Sequence, residues 1–307
     1  MNDVICLSLK TMQQVEFPDA CVICLGNFDG VHLAHRVLMH TAKRLRAHRF
    51  RDAACGVFCF DPPTSDYLSP SPEHLCTREE KLKRFCEAGM EYAFLADFAA
   101  LRSMSPAQFV KEILLEACHC VATVCGFNFR FGYKGIGTPN DLQALLNAPV
   151  EIVDEVQKDG TRVCSSYIRE LLHLGKAEQA TELLTHPYTL CAKVVHGKEL
   201  GRTWGFPTVN QSFPPKMLVP RHGVYVTDCE LPNGEHYRGV SNVGVRPTVD
   251  RQAEVNCETH LLDFDGTLYE KNVTVSFLHF IRPEKKFDSA EDLRRQIEAD
   301  IQAAREY

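Results

Sequence analysis

The sequence of 307 residues has no long apolar run, no excess of positive charge and no leader-like start. No stretch approaches the roughly 18 continuous apolar residues that cross a membrane. The opening letters, MNDVICLSLK, lack the charged-then-apolar plan of a secretion signal. Basic and acidic residues number 19 and 23 before residue 186, and 15 and 17 from there on. We therefore expect a cytoplasmic protein with neither a membrane nor a nucleic acid as its partner.

The composition is that of a globular protein, with 45% hydrophobic and 24% charged residues. The length is sufficient for two domains of ordinary size. Fourteen cysteines is a high count, and Cys21 and Cys24 have the spacing of a zinc knuckle or a redox pair. Both lie in an apolar run, however, whose alternate members point to opposite faces of a strand. We therefore interpret the cysteines as free thiols that pack as small hydrophobic residues.

The first half alternates strand-like and helix-like segments. Apolar spacing predicts a helix over 31–48, Thr77 and Glu80 have the spacing of a capping box, and Ser105 with Pro106 opens a further helix. The predicted strands are 20–25, 53–60, 91–98, 121–125 and 150–156. This alternation with continuous apolar strands predicts a doubly wound, Rossmann-like parallel sheet, which binds ligands beyond the carboxyl ends of its strands.

The pattern changes after two short helices, near His186 and Pro187. From there short strands are broken by glycine and proline, and a charged amphipathic helix, AEDLRRQIEADIQAAREY, closes the chain. This half predicts a small antiparallel β-barrel with a terminal helix. The predicted domains are 1–184 and 185–307.

The segment HGKELGRTWGFPTVN (196–210) is the most informative stretch of the second half. Thr208 and Asn210, two apart in an extended segment, point to the same face, and their oxygens suit a magnesium–phosphate site. The glycines allow the backbone to approach phosphates, and the basic residues offset phosphate charge; these are Gly197, Gly201 and Gly205, with Lys198 and Arg202. A turn-rich hairpin with polar edges is the alternative interpretation.

A second segment, LGNFDGVHLAHR (25–36), joins the first predicted strand to the first long helix. Gly26 and Gly30 permit a tight turn, and His32 and His35 share a face at a helix start, where amides and the helix dipole favour anions. No Gly-Lys-Ser/Thr follows, so this is not a Walker loop. The alternative is a pair of polar residues at an exposed helix start.

Residues 187–307 resemble riboflavin kinase, through GKELGRTWGFPTVN, ETHLLDFDGTLY and VSFLHFIRPEKKF in the order of that family. The resemblance implies that Thr208 and Asn210 bind magnesium and the ATP phosphates. It makes Glu258 the general base for the ribityl hydroxyl. It also implies a flap over ATP, formed by Gly197, Lys198, Gly201 and Arg202, and a flavin side that includes Arg246 and Arg282.

Residues 1–184 resemble FMN adenylyltransferase, the N-terminal half of the bacterial bifunctional riboflavin kinase/FMN adenylyltransferase (FAD synthetase) family. The matching segments are GNFDGVHLAH, GFNFRFG (126–132) and CSSYIRELLHLGKAEQATELL (164–184). The resemblance implies that His32 and His35 act on phosphates and that Asn128 contacts the flavin or nucleotide. The further ATP- or phosphate-binding residues that it implies are Gly26, Asn27, Gly30, Ser165, Ser166 and Arg169.

The sequence departs from the family pattern at several positions. Ala34 stands between the histidines in place of glycine, FDPPTSDYL (60–68) lacks the usual Pro-His-Pro histidine, Gly135 replaces a basic residue, and Cys164 replaces a small hydroxyl residue. Val209 replaces an alanine between the two predicted magnesium ligands.

Three hypotheses follow from the resemblance and these departures. The first is a magnesium-dependent enzyme that converts riboflavin to FMN and FMN to FAD with ATP. The second keeps only the kinase, with an N-terminal domain that binds without transferring. The third is a non-catalytic flavin-binding regulator.

Overall fold

The first half of the chain is built on a parallel sheet of six strands in the order β1-β4-β3-β2-β5-β6. The structure, a computed structural model, describes residues 4–8, 18–197, 206–246 and 254–307. Contacts divide the chain into the units Met1–Ser165 and Ser166–Tyr307. The strands of the first unit are β1 (Ile5–Ser8), β2 (Cys21–Leu25), β3 (Ala54–Phe60), β4 (Tyr92–Ala96), β5 (Cys120–Gly126) and β6 (Val150–Val153), with a small hairpin of β7 (Gln157–Lys158) and β8 (Thr161–Arg162). The predicted doubly wound parallel sheet is confirmed.

The central strand β2 explains the cysteine pattern. Its five residues are all buried, and Cys21 belongs to the core on one face of the sheet while Cys24 belongs to the core on the other. All fourteen cysteines are free thiols. Burial raises the pKa of the Cys21 thiol to about 12 and raises that of Cys24 as well. These two thiols are therefore protonated and inert at neutral pH. The interpretation as core residues is confirmed for the nine buried cysteines, whereas four are half-buried and Cys6 is exposed.

Four of the six helices described in the first unit begin at a residue whose side chain caps them. The six are α1 (Leu33–Arg49), α2 (Ser65–Leu68), α3 (Arg78–Glu87), α4 (Phe98–Leu101), α5 (Pro106–Gln108, which continues as a π-helix over Phe109–Ala117) and α6 (Pro139–Leu146). The predicted capping box of Thr77 and Glu80 is present at α3. The strand predicted over 91–98 ends at Ala96, because the side chain of Asp97 caps α4. Strand β1 was not predicted, since it is a short edge strand in which Leu7 alone is buried.

The second unit contains an antiparallel sheet of six strands in the order β10-β13-β12-β11-β14-β9. Its elements are α7 (Ser165–His173), α8 (Ala177–Leu184), β9 (Tyr188–Lys193), β10 (Val209–Ser212), β11 (Gly223–Glu230), β12 (His236–Arg246), β13 (Glu254–Leu261), β14 (Asn272–Arg282) and α9 (Ala290–Glu306). A bridge between Val195 and Asn210 brings the two edges of the sheet together. The predicted antiparallel barrel and terminal helix are thus confirmed.

Two helices pack on the barrel at different places. Helix α8 lies against β14 and β9, and helix α9 lies against β12 and β11. The carboxylate of Asp300 in α9 is 3% exposed and accepts from Nε and a terminal nitrogen of Arg282 at 3.0 and 2.7 Å. The predicted domain boundary at residues 184–185 stays a prediction.

Candidate active sites

The N-terminal candidate site lies where the strand order of the parallel sheet reverses. Strands β3 and β4 extend from β2 in one direction, and β5 and β6 extend in the other. The loop after β2 carries Gly26 to His32, and the turn after β5 carries the exposed Asn128. Since β2 and β5 are parallel neighbours, both segments leave the same edge of the sheet. A crevice at this position is the usual ligand site of such folds.

The loop between β2 and α1 has an unusual backbone. Phe28, Gly30 and Val31 have φ angles of 52°, 76° and 41°, all in the left-handed region. Such angles cost a non-glycine residue on the order of 1–3 kcal/mol and persist only where the surroundings enforce them. Phe28 and Val31 are fully buried, and the Phe28 ring packs edge-on against Phe85. The loop is therefore held in one shape by the core beneath it.

The two histidines of this segment form a stacked pair. Their ring centroids are 3.6 Å apart with an interplanar angle of 15°. His35 lies in the first turn of α1, whereas His32, 4% exposed, is the extended residue just before the helix. Burial, with smaller contributions from His32 and Lys81, holds the pKa of His35 well below 6.5. The His35 imidazole is therefore neutral at pH 7, so it can offer an anion a hydrogen bond but not a positive charge.

Three other segments contact this loop. The carboxylate of Asp29 accepts from the Leu75 amide at 2.9 Å, and its carbonyl accepts from the Ser165 hydroxyl at 3.0 Å. The amide of Asn27 donates to the Thr64 hydroxyl at 3.0 Å, so the 60–68 segment is tied to the loop without its family histidine. The structure thus brings Ser165 to the His32 loop. Ser166 and Arg169 belong to the second unit, and their phosphate contacts stay predictions.

Lys81 is a residue of this site that the sequence analysis missed. Its side chain reaches from α3 to the loop, where Nζ donates to the Asn27 carbonyl at 3.2 Å, and the residue is 8% exposed. In the sequence it lies between charged residues of a capped helix, which is the pattern of a solvated face. The available signal was its position four residues after Thr77, the N-cap of α3, which places Lys81 one helical turn from the start of the helix.

The backbone conformation explains why glycine stands at position 135. Its φ of 65° lies in the left-handed region, which glycine adopts without strain. A basic side chain, as the family often has here, would be strained in this backbone. The half-buried Ala34 lies in the first turn of α1, and Cys164 is half-buried directly before α7.

The C-terminal candidate site is organised by the pairing of β10 with β13. Asn210 stands directly opposite Glu258, and Asn256 lies two residues earlier on the same face of β13. The Asn256 amide donates to the Asn210 side-chain oxygen at 3.3 Å and to the Glu258 carboxylate at 3.4 Å. Asn210 is 5% exposed and Glu258 is half-buried. Two predicted residues are thereby joined through Asn256, which was not predicted.

Gly197 packs directly on the Asn210 side chain. A Cβ atom at this position would lie 2.4 Å from the Asn210 amide nitrogen and 3.0 Å from its oxygen. The absence of a side chain is therefore required for the observed position of Asn210. Lys198, Gly201, Arg202 and Gly205 lie outside the described residues, as does the side chain of Arg246.

A cavity of about 390 Å³ lies beside Thr208 at the start of β10. One wall is the loop from Phe264 to Tyr269, between β13 and β14, and another is formed by Val194 and Leu261. Its mixed polar and apolar lining and its volume are those of a small-molecule site. Sequence analysis did not select this loop, although it contains the DFDGTLY letters that carry part of the resemblance.

Arg282 is engaged within the protein. Besides Asp300, its guanidinium donates to the Pro283 carbonyl at 3.2 Å and lies 5.8 Å from the Phe287 ring centroid. These contacts give Arg282 a role in attaching α9 to the barrel. Its predicted role in flavin binding stays a prediction.

Comparison with known proteins identifies both halves. A family profile described as riboflavin kinase matches residues 184–307, and one described as FAD synthetase matches residues 14–167. Proteins named bifunctional riboflavin kinase/FMN adenylyltransferase from Pseudomonas fluorescens and Bacillus subtilis are each 36% identical, over 93% of this chain and 92% of their own. The chain belongs to the bifunctional riboflavin kinase/FMN adenylyltransferase family.

The family name fits the architecture that the two units show. The relative from Escherichia coli K12, with the same name, is 33% identical over 94% of this chain. A crystal structure described as a macrolide-efflux protein from Streptococcus pneumoniae is 30% identical, with a TM-score of 0.90 over 99% of this chain and 100% of that one. In the part of our chain that the structure describes, no helix is long and apolar enough to cross a membrane.

Proposed function

We propose that this protein carries out two successive reactions with ATP, riboflavin to FMN in the second unit and FMN to FAD in the first. The observation that carries the kinase half is the pairing of Asn210 with Glu258 across β10 and β13, with Asn256 joined to both. Both alternative hypotheses are disfavoured, since each half matches a catalytic family and the full-length relatives are named for both activities.

In the kinase half, the chain supplies position, charge compensation and one base. Glu258 accepts the proton of the ribityl hydroxyl while the hydroxyl oxygen forms a bond to the γ-phosphorus of ATP. The bond from that phosphorus to ADP breaks, and ADP leaves. Asn256 holds the Glu258 carboxylate by a hydrogen bond, which limits the orientations that it can adopt. We assign the cavity beside Thr208 to the ATP nucleotide, because Thr208 on its wall is two residues from Asn210.

The residues at this place fit a magnesium ion. Thr208 and Asn210 offer neutral oxygens, and magnesium prefers oxygen ligands while it keeps several waters. Gly197 leaves the space on Asn210 that a Cβ atom would fill. We propose that Thr208 and Asn210 hold the ion, which when bound neutralises charge on the ATP phosphates.

In the adenylyltransferase half, an FMN phosphate oxygen attacks the α-phosphorus of ATP and pyrophosphate leaves. The stacked His32 and His35 lie at the start of α1, where free amides and the helix dipole favour phosphate. The neutral His35 imidazole, held at a fixed position, stabilises through its N–H group the charge that develops in the transition state. No covalent intermediate with the protein is required. We place both reactions in the cytoplasm, with Asn128 contacting the flavin or the nucleotide.

Product analysis tests the proposal. Purified protein is incubated with riboflavin, ATP and magnesium, and riboflavin, FMN and FAD are separated by chromatography over time. The proposal predicts FMN first and FAD afterwards, and FAD directly when FMN is the substrate. FMN accumulation with no FAD from either substrate would leave a kinase with an inactive N-terminal unit.

A further inference from the structure

Lys81 is a buried charge that the reactions above do not use. Lysine is almost never fully buried unless it is paired, and this side chain is 8% exposed. The capping box of Thr77 and Glu80 fixes the start of α3 and hence the direction in which Lys81 leaves the helix. Lys83, two residues later, is exposed on the same helix. The burial is therefore specific to Lys81.

The charged form of Lys81 is maintained by its surroundings. Burial lowers the pKa of Lys81, but neighbouring groups that carry or acquire negative charge outweigh it, so the pKa lies above 10.5. Two of these neighbours are thiols, whose pKa values of about 12 for Cys76 and about 11 for Cys59 leave them neutral at pH 7. The carboxylates of Asp29 and Asp61 are the negatively charged neighbours that remain. A buried ammonium with such neighbours persists at neutral pH.

The hydrogen bond of Lys81 is made to the loop between β2 and α1, next to its first left-handed residue. Nζ binds the carbonyl of Asn27, the residue directly before left-handed Phe28 and five residues before His32. A strained backbone of this kind needs contacts that over-determine it. Lys81 is also close enough to lower the pKa of His35, although burial and His32 have larger effects.

We propose that Lys81 is a positioning residue for adenylyl transfer, whose buried ammonium holds the main chain at Asn27 and so fixes the loop that carries His32. This inference rests on the proposed conversion of FMN to FAD. Lys81 acts through the loop, and the imidazoles remain the groups that meet the phosphates.

Lys81→Met tests the inference, with Lys83→Met as the matched control on the same helix. A shift of the loop by about 1 Å lowers kcat for FMN to FAD by about 10²-fold in Lys81→Met. Riboflavin phosphorylation by the same preparation stays at the wild-type rate, which shows that the loss is confined to the first unit, and the circular dichroism spectrum and unfolding transition of the wild type show that this unit is folded. Lys83→Met keeps both rates. Wild-type FAD formation in a folded Lys81→Met protein would overturn the inference.

A second variant separates positioning from mere charge balance. Lys81→Met also removes a positive charge that interacts electrostatically with the buried Asp29 carboxylate, which by itself disturbs the site. The double variant Lys81→Met/Asp29→Asn removes both charges and keeps an oxygen to accept from the Leu75 amide. The inference predicts that this folded protein still forms FAD slowly. Recovery to the Asp29→Asn rate would reduce Lys81 to a counter-charge and overturn it.

An NMR titration separates this inference from the proposed function. The His35 imidazole signal is assigned by its loss in His35→Asn, and its pKa is measured without ATP. Loss of the Lys81 charge raises the pKa of His35 whatever the role of Lys81, so the informative readout is the chemical shift of the ring on the neutral plateau of the titration. In Lys81→Met, but not in Lys83→Met, this shift changes, because the loop that carries His32 is displaced against the stacked ring of His35. Wild-type protein that forms no FAD would contradict the proposed function. The chemical shift would still report whether Lys81 positions the loop, and an unchanged value would count against the inference.

Discussion

Gly197→Ala is the substitution whose effect can be worked most directly from the structure. The added Cβ atom would lie 2.4 Å from the Asn210 amide nitrogen, whereas ordinary contacts begin at 3.4 Å. The amide must therefore move by about 1 Å, a misplacement that costs a catalytic site about 10²-fold in rate. Overpacking of this kind also lowers the free energy of unfolding by about 1–3 kcal/mol. We expect kcat for riboflavin phosphorylation to fall about 10²-fold.

The assay compares both activities of one preparation. FMN formation from riboflavin and FAD formation from FMN are followed separately, with Ser212→Ala, at an exposed position of β10, as the control. The loss should be confined to FMN formation, because Gly197 and Asn210 lie in the second unit. Full kinase activity in a folded Gly197→Ala protein would refute the assignment of Asn210 to the kinase site.

Three further predictions concern other contacts. The free energy of unfolding should decrease as pH falls below 6.5, because His35 takes up a proton there in the unfolded state but stays neutral in the folded state. Chemical denaturation at several pH values should give a slope of at most about 1.4 kcal/mol per pH unit from this residue. His35→Asn should lack this contribution. Asp300→Ala should lower the free energy of unfolding by about 3–5 kcal/mol, since it leaves the half-buried Arg282 without its carboxylate partner. The control Glu298→Ala loses an exposed ion pair and should lower it by at most about 1 kcal/mol. Equal losses would contradict the account of α9. Asn256→Ala removes two hydrogen bonds, and a loss of about 1.4 kcal/mol, or tenfold, is expected in kcat for FMN formation; an unchanged rate would remove Asn256 from the site.

The sequence predicts both folds because the local signals and the tertiary structure agree. The apolar strands β2 and β3 are buried on both faces, as their continuous hydrophobic letters indicate. The capping box at Thr77 starts a helix where expected. Strand β1 was missed, because a four-residue edge strand with one buried side chain carries no distinctive pattern.

Site residues were predictable where a motif supplied them and not where tertiary contacts did. The spacing of His32 and His35 predicts a shared face, and the rings do stack, although His32 is the extended residue before α1 and not part of its first turn. Neither Lys81 nor Asn256 stands in a segment whose local pattern distinguishes it from a surface residue. Each acquires its place through a partner more than forty residues away in sequence, Asn27 for Lys81 and Asn210 for Asn256. Such pairings depend on helix packing and strand register, which a single sequence does not display.

The central claim is that one chain holds two independent active sites, and complementation between two variants tests it most directly. Glu258→Gln should convert FMN to FAD but leave riboflavin unchanged, whereas His32→Ala should convert riboflavin to FMN and stop there. Mixed in equal amounts with riboflavin, ATP and magnesium, the two variants should together form FAD, because the FMN released by one is the substrate of the other. Folded variants that each lose both activities, or a mixture that forms no FAD, would contradict the account.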